Sequence, residues 1–365
     1  MITSLHTVGS LGRDAGGPSR TVPALCHAMV YKQPDLAVKI LAGVTAQFGP
    51  NLTFNDLDVE AVEQSQSARA WQSKLFNFYC SNSGKGFILH DHGQWLPCNR
   101  ASARVQRKTK APRVVTPRGM LSPWAMQHKR WKKKIAWHLF AKRDINQASI
   151  VHATSDLEAN ELRQLGVTAP IVVIPNGVES RPRPSDDRPK SKTVLFMSRI
   201  HEKKGVAELV TAWRRINDPQ WKLIIAGPDE SNMIAGLNLS ASDRIEFVGE
   251  VSGADKWRLL ESASVFVLPT HSENFGLVIA ESLMAGTPVI TTHGAPWQVL
   301  EEHHAGWWIP MSVDSVVLTL RNAMAMPMSE LADMGLRGHD LVVERFGWQQ
   351  IGQQMLEVYR SLLRA

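Results

Sequence analysis

Along the whole chain, short runs of apolar and β-branched residues alternate with longer segments of helical period. Each short run stops at Gly, His, Ser or Asn. The runs 1–8, 36–43, 86–93, 113–119, 149–155 and 171–178 occupy the first half. A second series follows at 193–200, 221–227, 244–251, 264–270 and 288–294. This alternation is the sequence form of stacked βαβ units and a parallel sheet. In open sheets of this kind ligands lie beyond the carboxyl ends of the strands, so chemistry is expected where the runs stop. A chain of 365 residues is long enough for two such domains, each burying its own core. The segment 181–192, rich in proline and charge, predicts a linker between domains at 1–180 and 193–347. A final helix is expected over 348–365. Another helix is expected from Ser122-Pro123, an N-cap followed by proline at the first helical position, to about Gln147.

Charge divides unevenly. Residues 1–180 hold 22 Lys and Arg against 12 Asp and Glu, so the front half carries all the excess of a +7 chain. From Arg100 to Arg143 there are 14 basic residues and no acidic one, with Trp124, Trp131 and Trp137 among them. That segment suits polyanions. The opening MITSLHTVGSLGRDAGG has neither a basic start nor an apolar stretch, and no window nears the ~18 apolar residues of a spanning helix. Neither a secretory leader nor a membrane span is expected. Three cysteines, Cys26, Cys80 and Cys98, without a CxxC spacing fit a reducing cytosol.

The strand ends carry the candidate chemistry. Glu273-Asn274-Phe275-Gly276-Leu277 leads into a helix that holds Glu281 two turns on. Glu273 can accept hydrogen bonds from sugar hydroxyls, and the amides of Phe275, Gly276 and Leu277 form a helix start suited to a diphosphate. Upstream, Ser198-Arg199-Ile200-His201-Glu202-Lys203-Lys204-Gly205 ends a strand with cations, which suit a negatively charged group. Gly16 and Gly17 follow the first strand, where glycine lets backbone approach a phosphate or sugar closely. His90-Asp91-His92-Gly93-Gln94 lacks a companion ligand pair, so no metal site is expected there.

Together these motifs resemble the family-4 retaining glycosyltransferases, with the glutamate pair as their EX7E signature, and the resemblance spans nearly the whole chain. It implies the GT-B fold, two Rossmann-like doubly wound α/β domains facing a central cleft, with the last helix crossing back to the first domain. It also implies a UDP- or GDP-sugar donor and no required cofactor. By the resemblance, Arg199 and Lys204 grip the diphosphate, Glu273 serves the sugar and Glu281 the ribose. Backbone near Val251 holds the base, and His92 lines the reaction site. Asp91, Gln94 and Arg118 are acceptor-side candidates. Many members act on lipid-linked acceptors, so the expected function is bacterial surface polysaccharide or O-antigen synthesis on a saccharide or undecaprenyl-linked acceptor. The basic segment is then read as a peripheral contact with anionic membrane at the inner face of the cytoplasmic membrane, with a solvated basic face whose tryptophans pack inward, and after it nucleic acid, as the other readings. A same-fold epimerase or phosphorylase, or a non-catalytic sugar- or nucleic-acid-binding protein, stays open as the alternative.

Overall fold

The computed structural model describes residues 1–12, 16–44, 57–63, 67–82, 86–185 and 191–364. The chain forms two compact units, Met1–Gly177 with Trp348–Ala365, and Val178–Gly347. The chain therefore passes between units at 177/178 and again at 347/348. Of the expected linker, residues 181–185 fall within the second unit, and 186–190 lie outside the described residues. The cause is packing. The Arg181 guanidinium stacks on Trp257 at 4.2 Å, and Arg183 pairs with Asp340 at 3.1 Å.

The first unit holds a seven-stranded parallel sheet of order β3-β2-β1-β4-β5-β6-β7. Its strands are β1 (Ile2–Val8), β2 (Leu36–Val44), β3 (Asp58–Glu63), β4 (Gly86–His92), β5 (Arg113–Thr116), β6 (Ile150–Ala153) and β7 (Ile171–Val173). The second unit has six strands in the order β10-β9-β8-β11-β12-β13. These are β8 (Ser191–Met197), β9 (Lys222–Ala226), β10 (Ile245–Gly249), β11 (Ala263–Leu268), β12 (Val289–Thr292) and β13 (Gly306–Ile309). In both sheets the order reverses once, between β1 and β4 and between β8 and β11. The loops after those four strands therefore flank the switch points where doubly wound sheets take their ligands.

Two strands escape the sequence pattern. β3 is an acidic edge strand, Asp-Val-Glu-Ala-Val-Glu, held by Lys39 of β2, which bridges Asp58 and Glu60 at 3.3 and 3.1 Å. β13, Gly-Trp-Trp-Ile, pairs in register with β12. The long helix expected over 122–147 is also interrupted. A turn of helix at Pro123–Gln127 ends at His128 and Lys129, which leave helical geometry, and Lys129 has φ 53°. Helix resumes over Arg130–Ala136, widens to a π turn at Trp137–Ala141 and finishes at Lys142–Asn146. Lys129 and Lys133, four apart, would repel one another on one face of a continuous helix. The break also lets the Lys133 ammonium donate to Ala125 O at 2.6 Å, capping the first piece.

The two central cores differ in kind. In the second unit β8 and β11 bury Val194, Leu195, Phe196, Val265, Phe266 and Val267, the continuous apolar run expected of a strand covered on both faces. In the first unit β1 and β4 bury Thr3, Ser4, His6, Thr7, His90, Asp91 and His92 at the same depth. The C-terminal helix Trp348–Arg364 packs on Gly17–Val30 in this unit. Gly352 makes the close approach possible, since a Cβ there would lie 2.7 Å from the Ala28 carbonyl carbon.

Gly205, between Lys204 and the helix Val206–Ile216, has φ 70°, and a Cβ on it would stand 1.9 Å from Pro269 O. Both the backbone region and the space exclude a larger residue. Gly205→Ala is expected to cost about 2 kcal/mol of stability in the second unit, read from its urea unfolding midpoint. An unchanged midpoint would contradict the packing described.

Candidate active site

In the second unit three loops are stapled together at the switch point. After β8, His201 accepts from Lys203 N and starts a short 3-10 turn, Glu202–Lys204. The carbonyl of Lys203 accepts from His271 N at 2.8 Å and from the Thr270 hydroxyl at 3.0 Å, joining the loop after β11. Glu273 N donates to Gly294 O at 2.7 Å, joining the loop after β12. These ties fix Lys204 and Glu273 face to face, and their side chains form an ion pair, each about one-seventh exposed. Arg199 is exposed at the same end of β8 and has no partner among the described residues. Gly276, at φ 84°, turns the chain into the helix Leu277–Met284, whose first amides have no acceptor inside the helix. Trp297 supports this turn from below, donating to Phe275 O at 2.5 Å.

Glu281 lies on that helix and is held by Lys256 at 2.5 Å. Lys256 was missed from the sequence because it lies 25 positions away on a different helix; only tertiary packing brings the pair together. Asn274 is half-buried ahead of the helix start. Val251 follows the edge strand β10 and packs partly on the core. Among the aromatic residues near Thr292, Trp297 is buried and Trp308 donates to Ala295 O at 2.7 Å, so both brace loops.

In the first unit Gly16, at φ 71°, and Gly17 lead into the helix Gly17–Val30, with open space where either Cβ would stand. The rest of that glycine loop, 13–15, lies outside the described residues. His92 ends β4, and beneath it runs a chain of buried hydrogen bonds. Arg118 reaches His92 Nδ1 at 3.2 Å, and His92 Nε2 meets His6 Nδ1 at 2.9 Å. His6 Nε2 meets the Tyr359 hydroxyl at 3.3 Å, and that hydroxyl meets His90 Nδ1 at 2.6 Å. His90 Nε2 and His152 Nδ1 both meet the Thr116 hydroxyl, at 2.7 and 2.9 Å. His152 Nε2 meets Ile174 O at 2.7 Å.

Both ends of this chain are fixed chemically, because a guanidinium can only donate and a carbonyl can only accept. With one proton per link, every histidine is neutral and carries its proton on Nε2, and both hydroxyls point one way. Burial holds the rings in that state. It lowers the pKa of His6 and His152 to about 3 and takes His90 and His92 well below their ordinary value, with Arg118 acting in the same direction. His6, His90 and His92 lie close enough for a metal, with ligand atoms within 4.8 Å of one another. Every nitrogen of the three is already engaged, so a cation would have to break bonds on all three rings.

This geometry revises two sequence readings. Asp91 is fully buried and cannot touch an acceptor: it pairs with Arg113 at 2.9 Å and accepts from the Thr7 hydroxyl at 2.9 Å. His92 offers no free ring nitrogen, so its influence passes through Arg118. Arg118 itself stands with Thr21 and Asn176, at 2.9 and 3.2 Å. Its pKa is lowered to about 10, chiefly by burial and against the pull of Glu158. Gln94 faces a separate cavity. His6 and Tyr359 are not marked by the sequence, and His152 stands out there only as a strand end. The signal is positional: His6 lies opposite His90 in the β1–β4 register, and His90 and His92 share one face of β4.

Two α/β units with the same reversed strand order, the second carrying a Lys–Glu pair in the loops at its switch point, define a doubly wound architecture of two Rossmann-like units. Residues 16–177 match the glycosyl transferase 4-like domain, and residues 179–338 match glycosyl transferases group 1. The chain belongs to the family-4 glycosyltransferases and has the GT-B fold. It is 29% identical over 230 residues to a phosphatidyl-myo-inositol mannosyltransferase of Mycobacterium tuberculosis, covering 58% of this chain and 59% of the relative. It is 27% identical over 251 residues to the MMP alpha-(1->4)-mannosyltransferase of Mycolicibacterium hassiacum, covering 64% and 60%. The matches thus span about three-fifths of these relatives. Among solved structures, the sucrose-phosphate synthase from Thermosynechococcus elongatus superposes with TM-score 0.77 at 21% identity, covering 100% of this chain and 99% of the other. HepE from Anabaena, in complex with UDP-glucose, gives 0.78 at 20% identity, covering 98% and 99%.

The neutral histidine chain sets a pH dependence. Unfolded histidines titrate near 6.5, whereas burial takes all four native rings well below that, His6 and His152 to about 3. Their contribution to stability is full above about 6.5 and is lost as pH falls toward 3, because the unfolded state alone takes up protons. Hydrogen-exchange protection of β4 amides, corrected for intrinsic rate, is expected to fall between about pH 7 and about pH 5 far more than that of β11, which carries no histidine. Parallel behaviour of the two strands would refute the neutral chain.

Proposed function

We propose that this chain is a retaining glycosyltransferase that moves a hexose from a UDP- or GDP-sugar to a saccharide or lipid-linked saccharide acceptor, in the synthesis of a bacterial surface polysaccharide such as O-antigen. The observation that carries the reading is the Lys204–Glu273 pair in front of the Gly276–Leu277 helix start, with Arg199 unpaired nearby in sequence and on the same strand end. As a nucleoside diphosphate departs, negative charge grows on its terminal phosphate. Arg199, Lys204 and the helix amides are placed to stabilise it, so the reading needs no metal ion for that task. Glu281, oriented by Lys256, suits the ribose hydroxyls, and backbone near Val251 suits the base. Asn274 and Phe275 complete the donor loop, and Gly16 and Gly17, in the first unit, leave open backbone suited to a phosphate or sugar.

Glu273 has two tasks in this scheme. Without donor it neutralises Lys204, and with donor it accepts from sugar hydroxyls while Lys204 turns to phosphate. For retention, attack on the face of the departing phosphate lets a phosphate oxygen take the acceptor proton, so no side-chain base is assigned. His92, with both nitrogens occupied, agrees with that assignment and acts by positioning Arg118 on the acceptor side.

Glu273→Ala should leave nucleotide binding intact or tighter, because Lys204 loses its competing carboxylate, while kcat falls about 100-fold. Lys204→Ala should weaken both, since it removes a cation and leaves Glu273 facing the diphosphate. The measurement is a melting panel with UDP, GDP and CMP and their sugar conjugates, followed by turnover with the donor that stabilises. No stabilisation by any nucleotide at millimolar concentration, or normal turnover in Glu273→Ala, would overturn the reading.

Membrane contact is part of the same proposal. Trp131, Ile135 and Leu139 are 66%, 52% and 72% exposed, and the exposed cations Lys129, Arg130, Lys132 and Lys134 surround them. An apolar strip with a cationic border suits the headgroup boundary of anionic lipid. No helix among the described residues is long and apolar enough to cross a membrane. Phosphatidylglycerol vesicles should bind the protein at low salt and release it as salt rises, and Trp131→Ala with Leu139→Ala should weaken binding at every salt concentration. Absence of vesicle binding at low salt would remove this element.

A further inference from the structure

Beside the histidine chain, the first unit contains a cavity of about 380 Å³ between the end of β4, the start of the helix Pro97–Thr109 and the helical segment around Phe140 and Asp144. Its charge is unbalanced. Three arginines line it, Arg100, Arg104 and Arg113, against one carboxylate, Asp144. That carboxylate is already shared by Arg100 at 2.7 Å and by Arg107 at 2.8 Å. Arg113 is spent on Asp91, on Gln106 and on the backbone of residue 144. Arg104 has no hydrogen bond or ion pair among the described residues and is only half-buried.

Two amides in the wall are also unspent. Asn99 is 7% exposed; its Oδ1 accepts from Leu96 N, and its Nδ2 is buried with no partner. A buried donor left unsatisfied costs stability unless something else meets it. The Gln94 side chain, also 7% exposed, makes no hydrogen bond among the described residues. The helix start at Pro97 adds its positive end and has no acidic residue in its first turn. Trp95 and Phe140 supply flat apolar walls, the second lying under the Arg100 guanidinium at 4.0 Å.

A free cation, two unspent amides and a helix start suit an oxyanion with more than two acceptor oxygens, and the aromatic walls suit a body attached to it. We propose that this cavity is a binding site for a phosphate ester, with Arg104, Asn99 and Gln94 gripping the phosphate and Trp95 and Phe140 holding the attached group. As an anchor for a phosphorylated acceptor it rests on the transferase reading. Phosphate binding itself does not.

The test is calorimetric titration of the full chain with phenyl phosphate, alongside vesicles of phosphatidylglycerol and of phosphatidylcholine. Arg104→Ala should weaken phenyl phosphate binding at least about tenfold and Gln94→Leu about threefold. Lys110→Ala, which removes an exposed cation from the end of the same helix, should leave it unchanged. If Arg104→Ala also weakens phosphatidylglycerol binding beyond Lys110→Ala, the ester is a lipid headgroup; if vesicle binding is equal in the two variants, it is a soluble phosphate. Either result upholds the site. Absence of saturable phenyl phosphate binding to the wild type, or equal affinity in Arg104→Ala, overturns it. Nucleotide stabilisation of the second unit is measured separately, so failure of this site and failure of the transferase reading are distinguishable.

Discussion

A one-directional run of hydrogen bonds, from a guanidinium that only donates to a carbonyl that only accepts, organises the first unit. It joins β1, β4, β5 and β6 to the C-terminal helix through Tyr359, and every intervening ring and hydroxyl is used once in each direction. Such a network tolerates little editing. Replacing one histidine with an apolar residue strands a buried donor on one side and a buried acceptor on the other, a penalty that a matched pair of replacements would avoid. The position of Arg118 beside Thr21 and Asn176 depends on this run, because His92 can receive the guanidinium only while its other nitrogen faces His6.

The two units follow one strand plan and solve its centre differently. In the second, apolar side chains fill the sheet and the polar chemistry sits in loops stapled by backbone hydrogen bonds, so the sheet is a platform. In the first, polarity runs through the middle of the sheet, and the loop residue Arg118 draws its orientation from beneath. Arginine and lysine in the first unit are likewise less a surface feature than their number suggests. Arg113 is buried on Asp91, and Arg100 and Arg107 converge on Asp144, the carboxylate directly after the acid-free segment ends. The cationic surface is what these pairings leave over.

Strand ends were legible in the sequence because parallel strands covered on both faces are short apolar runs, and because Glu273, Lys204 and the helix start lie in two local segments. What local pattern could not express was pairing across strands. His6, His90 and His152 acquire a role only once β1, β4, β5 and β6 are known to be neighbours, and Tyr359 lies 269 positions from His90. Lys256 was hidden from Glu281 for the same reason. β3 and β13 broke the pattern in opposite ways, one too acidic and one too aromatic to read as an interior strand. The helix through the basic segment was legible at both ends but not at Lys129, where repulsion between Lys129 and Lys133 and the Lys133 cap outweighed continuity.

The double passage at 177/178 and 347/348 makes the second unit, topologically, an insertion within the first. During synthesis residues 178–347 are complete while the first unit still lacks its last helix. Until Tyr359 leaves the ribosome, His6 and His90 face a gap in which neither has its hydroxyl partner. The half that begins first is thus the half that finishes last, and its polar centre is complete only once Tyr359 arrives, beyond the whole of the second unit.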